Sequence, residues 1–175
     1  PTKSSAASDV YKRQAYIDQR SIDKKVYPKQ IAFNSIPFVD CFLENNYTRE
    51  EMKMVWETHK ILDENISVNP TAVRVPVLVG HAESIYIETE KEIDIELAKN
   101  CLNEFAGISV IDDVQEVDFP TSFEHGHGTD DVYVGRIRKG LSKNNSLNLW
   151  VVADNVRKGA ALNLSLIHIS EPTRR

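Results

Sequence analysis

Arg74 is the single charge in residues 71–79, TAVRVPVLV. A planar guanidinium grips a carboxylate through two parallel hydrogen bonds and keeps its charge at any working pH. The plain alternative is an edge residue whose stem lies on apolar surface while its head reaches water. His81 follows Gly80 directly after that run. The unperturbed pKa of histidine lies nearest neutrality, which suits it to general acid–base work; a satisfied polar residue is the alternative. Glu50 and Lys53 stand one helical turn apart. They could meet a substrate amine and a phosphate, or simply pair with each other on an exposed helix face. His125 and His127, in EHGHG, have a spacing that could hold a metal, but two ligands in one loop are a weak donor set, so no metal is assigned. Cys41 and Cys101 lie beside Phe42 and Leu102 and read as buried free thiols of a reducing compartment. No G-x-G-x-x-G and no G-x-x-x-x-G-K-[ST] loop is present to cradle phosphates.

These residues need elements to hold them. Residues 31–42 form an apolar stretch broken by Pro37, which reads as a buried connection followed by a short helix or turn; Asn45 and Asn46 end it with turn chemistry. Thr48 and Glu51 make a T-x-x-E capping box that opens a helix. Met52, Val55, Trp56, His59 and Leu62 recur at helical spacing and predict its buried stripe; Glu50 and Lys53 lie off it. Valines 73, 75, 77 and 79 alternate as in a strand, with Pro76 placing it at an edge or bulge. Seven residues of straight strand span about 23 Å. For Arg74 and His81 to share one small substrate, the chain must bend between Pro76 and Gly80. Residues 83–88 predict a second strand, and Thr89 with Glu92 a second capping box. Leu97, Ala98, Cys101, Leu102 and Phe105 predict the buried face of the next helix, with Gly107 as its stop. A third strand at 108–111 completes a strand–helix–strand crossover. Residues 112–130 read mostly as loop. Residues 132–137 and 147–152 predict two antiparallel neighbours joined by KGLSKNNS, and Asp154 could cap a final helix beginning NVRKGAALN. The pattern implies an α+β fold, a mixed, mainly antiparallel sheet layered with helices.

The whole-chain numbers narrow the class. The 175 residues are 41% apolar and 27% charged, as in one ordinary globular domain. A net charge of −5 gives non-specific nucleic-acid binding little electrostatic support. No apolar run approaches the roughly 20 residues of a membrane span, and no secretory leader is visible, so a cytoplasmic location is expected. Residues 1–14 and 165–175 lack useful periodicity and resemble translated sequencing-adapter read-through; both are expected to be non-native tails around a domain at 15–164. They carry net charges of +2 and +1, so the remainder carries −8. His168 lies in the second tail and receives no role.

The segments KQIAFNSIPFVD, YTREEMKMVWETHKIL, TAVRVPVLVGHAES, YVGRIRKG and NLWVVADNVRKGAALN together resemble the aspartate-semialdehyde dehydrogenase family, from about Val26 to Asn163. The resemblance implies the C-terminal catalytic and dimerisation domain of the glyceraldehyde-3-phosphate dehydrogenase-like superfamily. It implies NADPH-dependent reductive dephosphorylation of L-aspartyl 4-phosphate to L-aspartate 4-semialdehyde, in the pathway to lysine, threonine, methionine and isoleucine. By match to the family's motifs, His81 would be the acid–base catalyst, Arg74 would hold the substrate α-carboxylate and Glu50 would face its amino group. Lys53 would bind the phosphate, and Asn155 would lie near the nicotinamide. NADP(H) would be bound mainly by an N-terminal domain that precedes the matching region. The family's cysteine nucleophile and the glutamine after it precede that region too. Neither Cys41 nor Cys101 falls at the nucleophile's place, so the chain alone is expected to be inactive. The family forms homodimers through this domain and engages neither nucleic acid nor membrane.

Two other readings stay open. A related acyl-phosphate reductase of the N-acetylglutamyl-phosphate type would share the chemistry; Arg74 discriminates, because a free α-carboxylate needs such a fork. A non-enzymatic dimerisation homologue would have no reason to keep Glu50, Lys53, Arg74 and His81 together.

Overall fold

The computed structural model describes residues 27–158. Both expected tails, residues 15–26 and residues 159–164 lie outside them, as does most of the helix expected after Asp154. The chain divides into two compact units, Pro1–Pro76 and Val77–Arg175.

In the first unit, helix α1 runs Arg49–Ile61 and begins as its capping box requires. The Thr48 amide donates to Glu51 Oε2 at 2.7 Å, and the Glu51 amide donates to Thr48 Oγ1 at 3.3 Å. The turn before it is also as expected: the Tyr47 amide donates to Asn45 Oδ1, and Asn46 takes φ 65°. Two expectations fail here. The α1 stripe is not a buried face, since Trp56 and Leu62 are 51% and 72% exposed and Glu51 is the helix's one buried residue. Residues 71–79 do not form a strand. They make a single antiparallel bridge, in which Arg74 and Ile36 exchange both amide–carbonyl bonds at 2.9 Å. Pro76 supplies no amide to extend it, and Val73, Val75 and Val77 stay near half exposed. No helix forms in 31–42, where Ala32 and Ile36 are buried and the chain turns at Phe33 and Asp40.

The second unit is a four-stranded sheet in the order β1-β4-β3-β2. Its elements are β1 (His81–Glu88), α2 (Ile95–Glu104), β2 (Ile108–Val110), α3 (Ser122–His125), β3 (Val132–Lys139) and β4 (Ser146–Ala153). Pairings β1–β4 and β3–β4 are antiparallel, and β2–β3 is parallel. The expected hairpin is therefore β3–β4, and the expected crossover carries the chain from β1 at one edge to β2 at the other. Alternation sends Ile85, Ile87, Val134, Leu147 and Leu149 to one face, where Ile95, Ala98 and Leu102 of α2 meet them. The predicted α2 face is shifted: Leu97, Cys101 and Phe105 point away and are exposed. So is its start. Asp94 caps α2 by accepting the Leu97 amide at 3.0 Å. Thr89 instead donates to the carbonyls of Lys91 and Asn145, and Glu92 pairs with Lys139.

The sheet is irregular at one place. Register shifts between Gly135 and Arg138, where Arg136 takes φ 54°. The Ile137 amide there donates to Asp112 Oδ2 at 3.3 Å, and the same oxygen meets Lys99 Nζ of α2 at 3.0 Å.

Candidate active site

The residues singled out from the sequence fall on both units. Glu50, Lys53 and Arg74 belong to the first, His81 and Asn155 to the second.

Within the first unit, the α1 N-terminus and the backbone beside Arg74 are tied by one carboxylate. Glu51 Oε2 takes the Thr48 amide, and Oε1 takes the Ala72 amide at 2.9 Å. Glu51 is 7% exposed, and its two backbone amides hold its pKa below the ordinary value. The side chains on either side of it in sequence are thereby given a fixed frame. Lys53 Nζ lies 3.1 Å from Glu50 Oε2, and this partner raises the Lys53 pKa. Both side chains are more than 40% exposed, so each can reach solvent or a ligand. The half-buried Arg74 has its guanidinium carbon over the Tyr27 ring, 5.1 Å from its centroid, at cation–π distance. The sequence marked Glu51 as a cap but carried no signal for its bond to Ala72 or for Tyr27 beneath Arg74.

Within the second unit, His81 and Asn155 lie at the same end of the sheet. His81 is the exposed first residue of β1 and sits across from Ala153, the last residue of β4; Asn155 is two residues further on and exposed. Asp154 between them is 3% exposed. Its carboxylate accepts the amides of Gly128 at 2.8 Å, Val156 at 2.9 Å and Arg157 at 3.3 Å. Those amides hold its pKa below the ordinary carboxylate value. The cap expected of Asp154 is present at the Val156 and Arg157 amides; its grip on Gly128 was not foreseen.

The histidine pair in EHGHG is committed elsewhere. The His125 ring accepts the Thr121 amide at Nδ1, 3.2 Å away, and lies 4.8 Å from the Tyr133 ring. His127 Nδ1 lies 3.8 Å from Asp154 Oδ2. Among the described residues no group of three or more His, Cys, Asp or Glu side chains is placed to hold a metal. Both cysteines are free thiols, Cys41 half-buried and Cys101 exposed, so the expectation of burial fails at Cys101. Among the described residues no helix is long and apolar enough to cross a membrane.

Residues 8–158 match the family model described as semialdehyde dehydrogenase, dimerisation domain. The chain belongs to this family. The semialdehyde dehydrogenase match agrees with individual relatives. The chain is 57% identical over 142 residues to the aspartate-semialdehyde dehydrogenase of Shewanella violacea, covering 81% of this chain and 41% of that one. It is 49% identical over 160 residues to that of Legionella pneumophila, covering 91% and 46%. The chain thus spans less than half the length of these curated relatives. Among solved structures, aspartate semialdehyde dehydrogenase II of Vibrio cholerae complexed with ASA superposes with a TM-score of 0.87 at 45% identity, covering 95% of this chain and 49% of that one. The Candida albicans aspartate semialdehyde dehydrogenase with NADP superposes at 0.64 and 25% identity, covering 79% and 44%. The α+β fold expected from the sequence is the fold of these neighbours.

Proposed function

We propose that this domain contributes the substrate-holding and acid–base side chains of an aspartate-semialdehyde dehydrogenase. The enzyme would reduce L-aspartyl 4-phosphate to L-aspartate 4-semialdehyde with release of phosphate, as a homodimer joined through this domain. Arg74 would fork the α-carboxylate, Glu50 would receive the ammonium, and Lys53 would take the phosphate. Each pairs a fixed charge with its opposite. His81 would donate and accept the proton of the acyl-transfer steps.

NADPH would supply the hydride. The residues present fit a minor share in holding it. Asn155 is exposed beside a buried cap, with an amide able to both donate and accept, while no glycine-rich phosphate loop is present in the sequence. The larger share of the nucleotide would fall to the part of the relatives' length that this chain does not span.

The observation that carries the reading is the frame around Arg74 and Lys53. Glu51, nearly excluded from water, bonds the Thr48 amide at the start of the helix that carries Lys53 and the Ala72 amide two residues before Arg74. The ordering of exposed charges by a buried carboxylate is what a ligand fork requires. The test is Arg74→Lys in the full-length enzyme. Lysine keeps the charge and loses the planar fork, so kcat/KM for the semialdehyde should fall about a hundredfold with an unchanged melting temperature. Near-normal kinetics would overturn the assignment.

A further inference from the structure

The loop carrying EHGHG makes two close attachments that the roles above do not use. At one end Gly126 packs backbone to backbone on Gly80: a Cβ on Gly80 would come within 2.6 Å of Gly126 Cα and 2.7 Å of its carbonyl oxygen. Gly80 immediately precedes His81. At the other end the Gly128 amide, with φ +75° at that residue, donates to the buried Asp154 carboxylate, which immediately precedes Asn155. The span between the attachments is stiffened by Thr129 Oγ1 donating to the His125 carbonyl at 3.1 Å. Beyond it, Arg157 Nε meets Asp130 Oδ1 at 2.5 Å, tying the same loop to the turn that Asp154 caps. The ionisable groups facing Asp154 are His127 and Asp130 from the loop and Arg157 from the turn.

Taken separately, Gly126 and Asp154 are a tight contact and a cap. Together they connect the two functional residues of this unit through a path other than the β1–β4 ladder. We propose that residues 125–130 are a positioning brace that sets His81 relative to Asn155, with Asp154 as the positioning residue that locks it. The inference rests on the reading of His81 and Asn155 as acid–base and nicotinamide-side residues. Its geometry also predicts a coupling that is measurable without turnover. Releasing Gly128 from Asp154 frees the loop, the freed loop shifts Gly126 against Gly80, and His81 changes its environment.

The experiment is nuclear magnetic resonance on the 175-residue chain carrying Asp154→Asn. The variant keeps the shape of the side chain and removes the charge that three amides share. Amide exchange at Gly128, Val156 and Arg157 should accelerate about tenfold to a hundredfold, the loss expected for bonds to an ionised acceptor. The ring signals of His81 should move. Those of His59, bonded to the Ile66 carbonyl in the first unit, should not. Faster exchange with His81 signals at their wild-type positions would overturn the proposal. Should Asp154→Asn fail to fold, Gly128→Ala decides in its place. Its new Cβ meets nothing within 4 Å and perturbs only a left-handed backbone. A shifted His81 supports the brace, and an unchanged His81 overturns it. In the full-length enzyme, His81→Asn with undiminished turnover would remove the acid–base reading and leave the brace standing, so the two failures differ.

Discussion

Glu51 accepts the Ala72 amide at 2.9 Å across 21 residues of sequence, while its other oxygen closes the cap of its own helix on Thr48. One carboxylate thus fixes a helix start and a distant bridge segment together. Glu51→Gln leaves one oxygen for two amides and turns an NH2 group toward the other. A buried bond to an ionised acceptor is worth about 1.5–3 kcal/mol, so the variant should lose about 2 kcal/mol, read as a lowered urea midpoint with unchanged slope. Because the folded pKa of Glu51 lies below its ordinary value of 4.5, its contribution is fully present above that value and is lost as pH falls through the folded pKa. The wild-type chain should therefore lose stability as pH falls below about 4.5, and Glu51→Gln should flatten that limb.

That relationship also marks where the sequence stops being legible. The Thr48–Glu51 cap was readable because both partners lie within one turn. The β3–β4 hairpin was readable because alternation and a turn-rich link are local too. The Ala72 bond was not, since no spacing rule connects residue 51 to residue 72. The valine alternation around Arg74 promised a strand, but a strand needs backbone partners on its flanks, and Ile36 supplies one pair. Thr89 and Glu92 had the spacing of a cap. Asn145 and Lys139, each more than 45 positions away, drew their side chains off. For the same reason the sequence placed His81 and Asn155 without showing the loop that spans between their neighbours.

Asp112 performs a comparable task at the irregularity in β3. Its carboxylate, 5% exposed, fills the place of the missing ladder partner of Ile137 and holds Lys99 of α2. Asp112→Ala should cost about 2 kcal/mol by leaving the Ile137 amide without its acceptor. Lys99→Met should cost less, because the Asp112 bond to the Ile137 amide survives it. Denaturant midpoints of the two variants should rank in that order; equal losses would show that the ion pair, not the amide, is what Asp112 serves.

Gly80 tolerates no side chain for two independent reasons. Its φ is +74°, and its Cβ position lies 2.6 Å from Gly126 Cα, a backbone atom with no rotamer to yield. Gly128 has a similar φ of +75° and open space at Cβ. Gly80→Ala should thus cost several kcal/mol and Gly128→Ala about 1 kcal/mol. Thermal melts of the two variants separate conformational strain from collision. Melting temperatures lowered equally would mean that Gly126 moves aside freely.

The Glu50–Lys53 pair is where the bland and the functional readings of this chain diverge most clearly. An exposed pair one helical turn apart adds little to stability, because water screens it and two long side chains must be held to make it. Glu50→Gln should therefore leave the melting temperature essentially unchanged under either reading. If Glu50 receives the substrate ammonium, the same change in the full-length enzyme removes a charge-assisted bond and should raise KM for the amino-acid substrate about tenfold or more. Lys53→Gln should instead act through phosphate. It should weaken inhibition by inorganic phosphate, an effect that Glu50→Gln does not share, since removing a neighbouring negative charge can only favour an anion at Lys53. Unaltered KM and phosphate inhibition in both variants would leave the pair as an ordinary solvated contact.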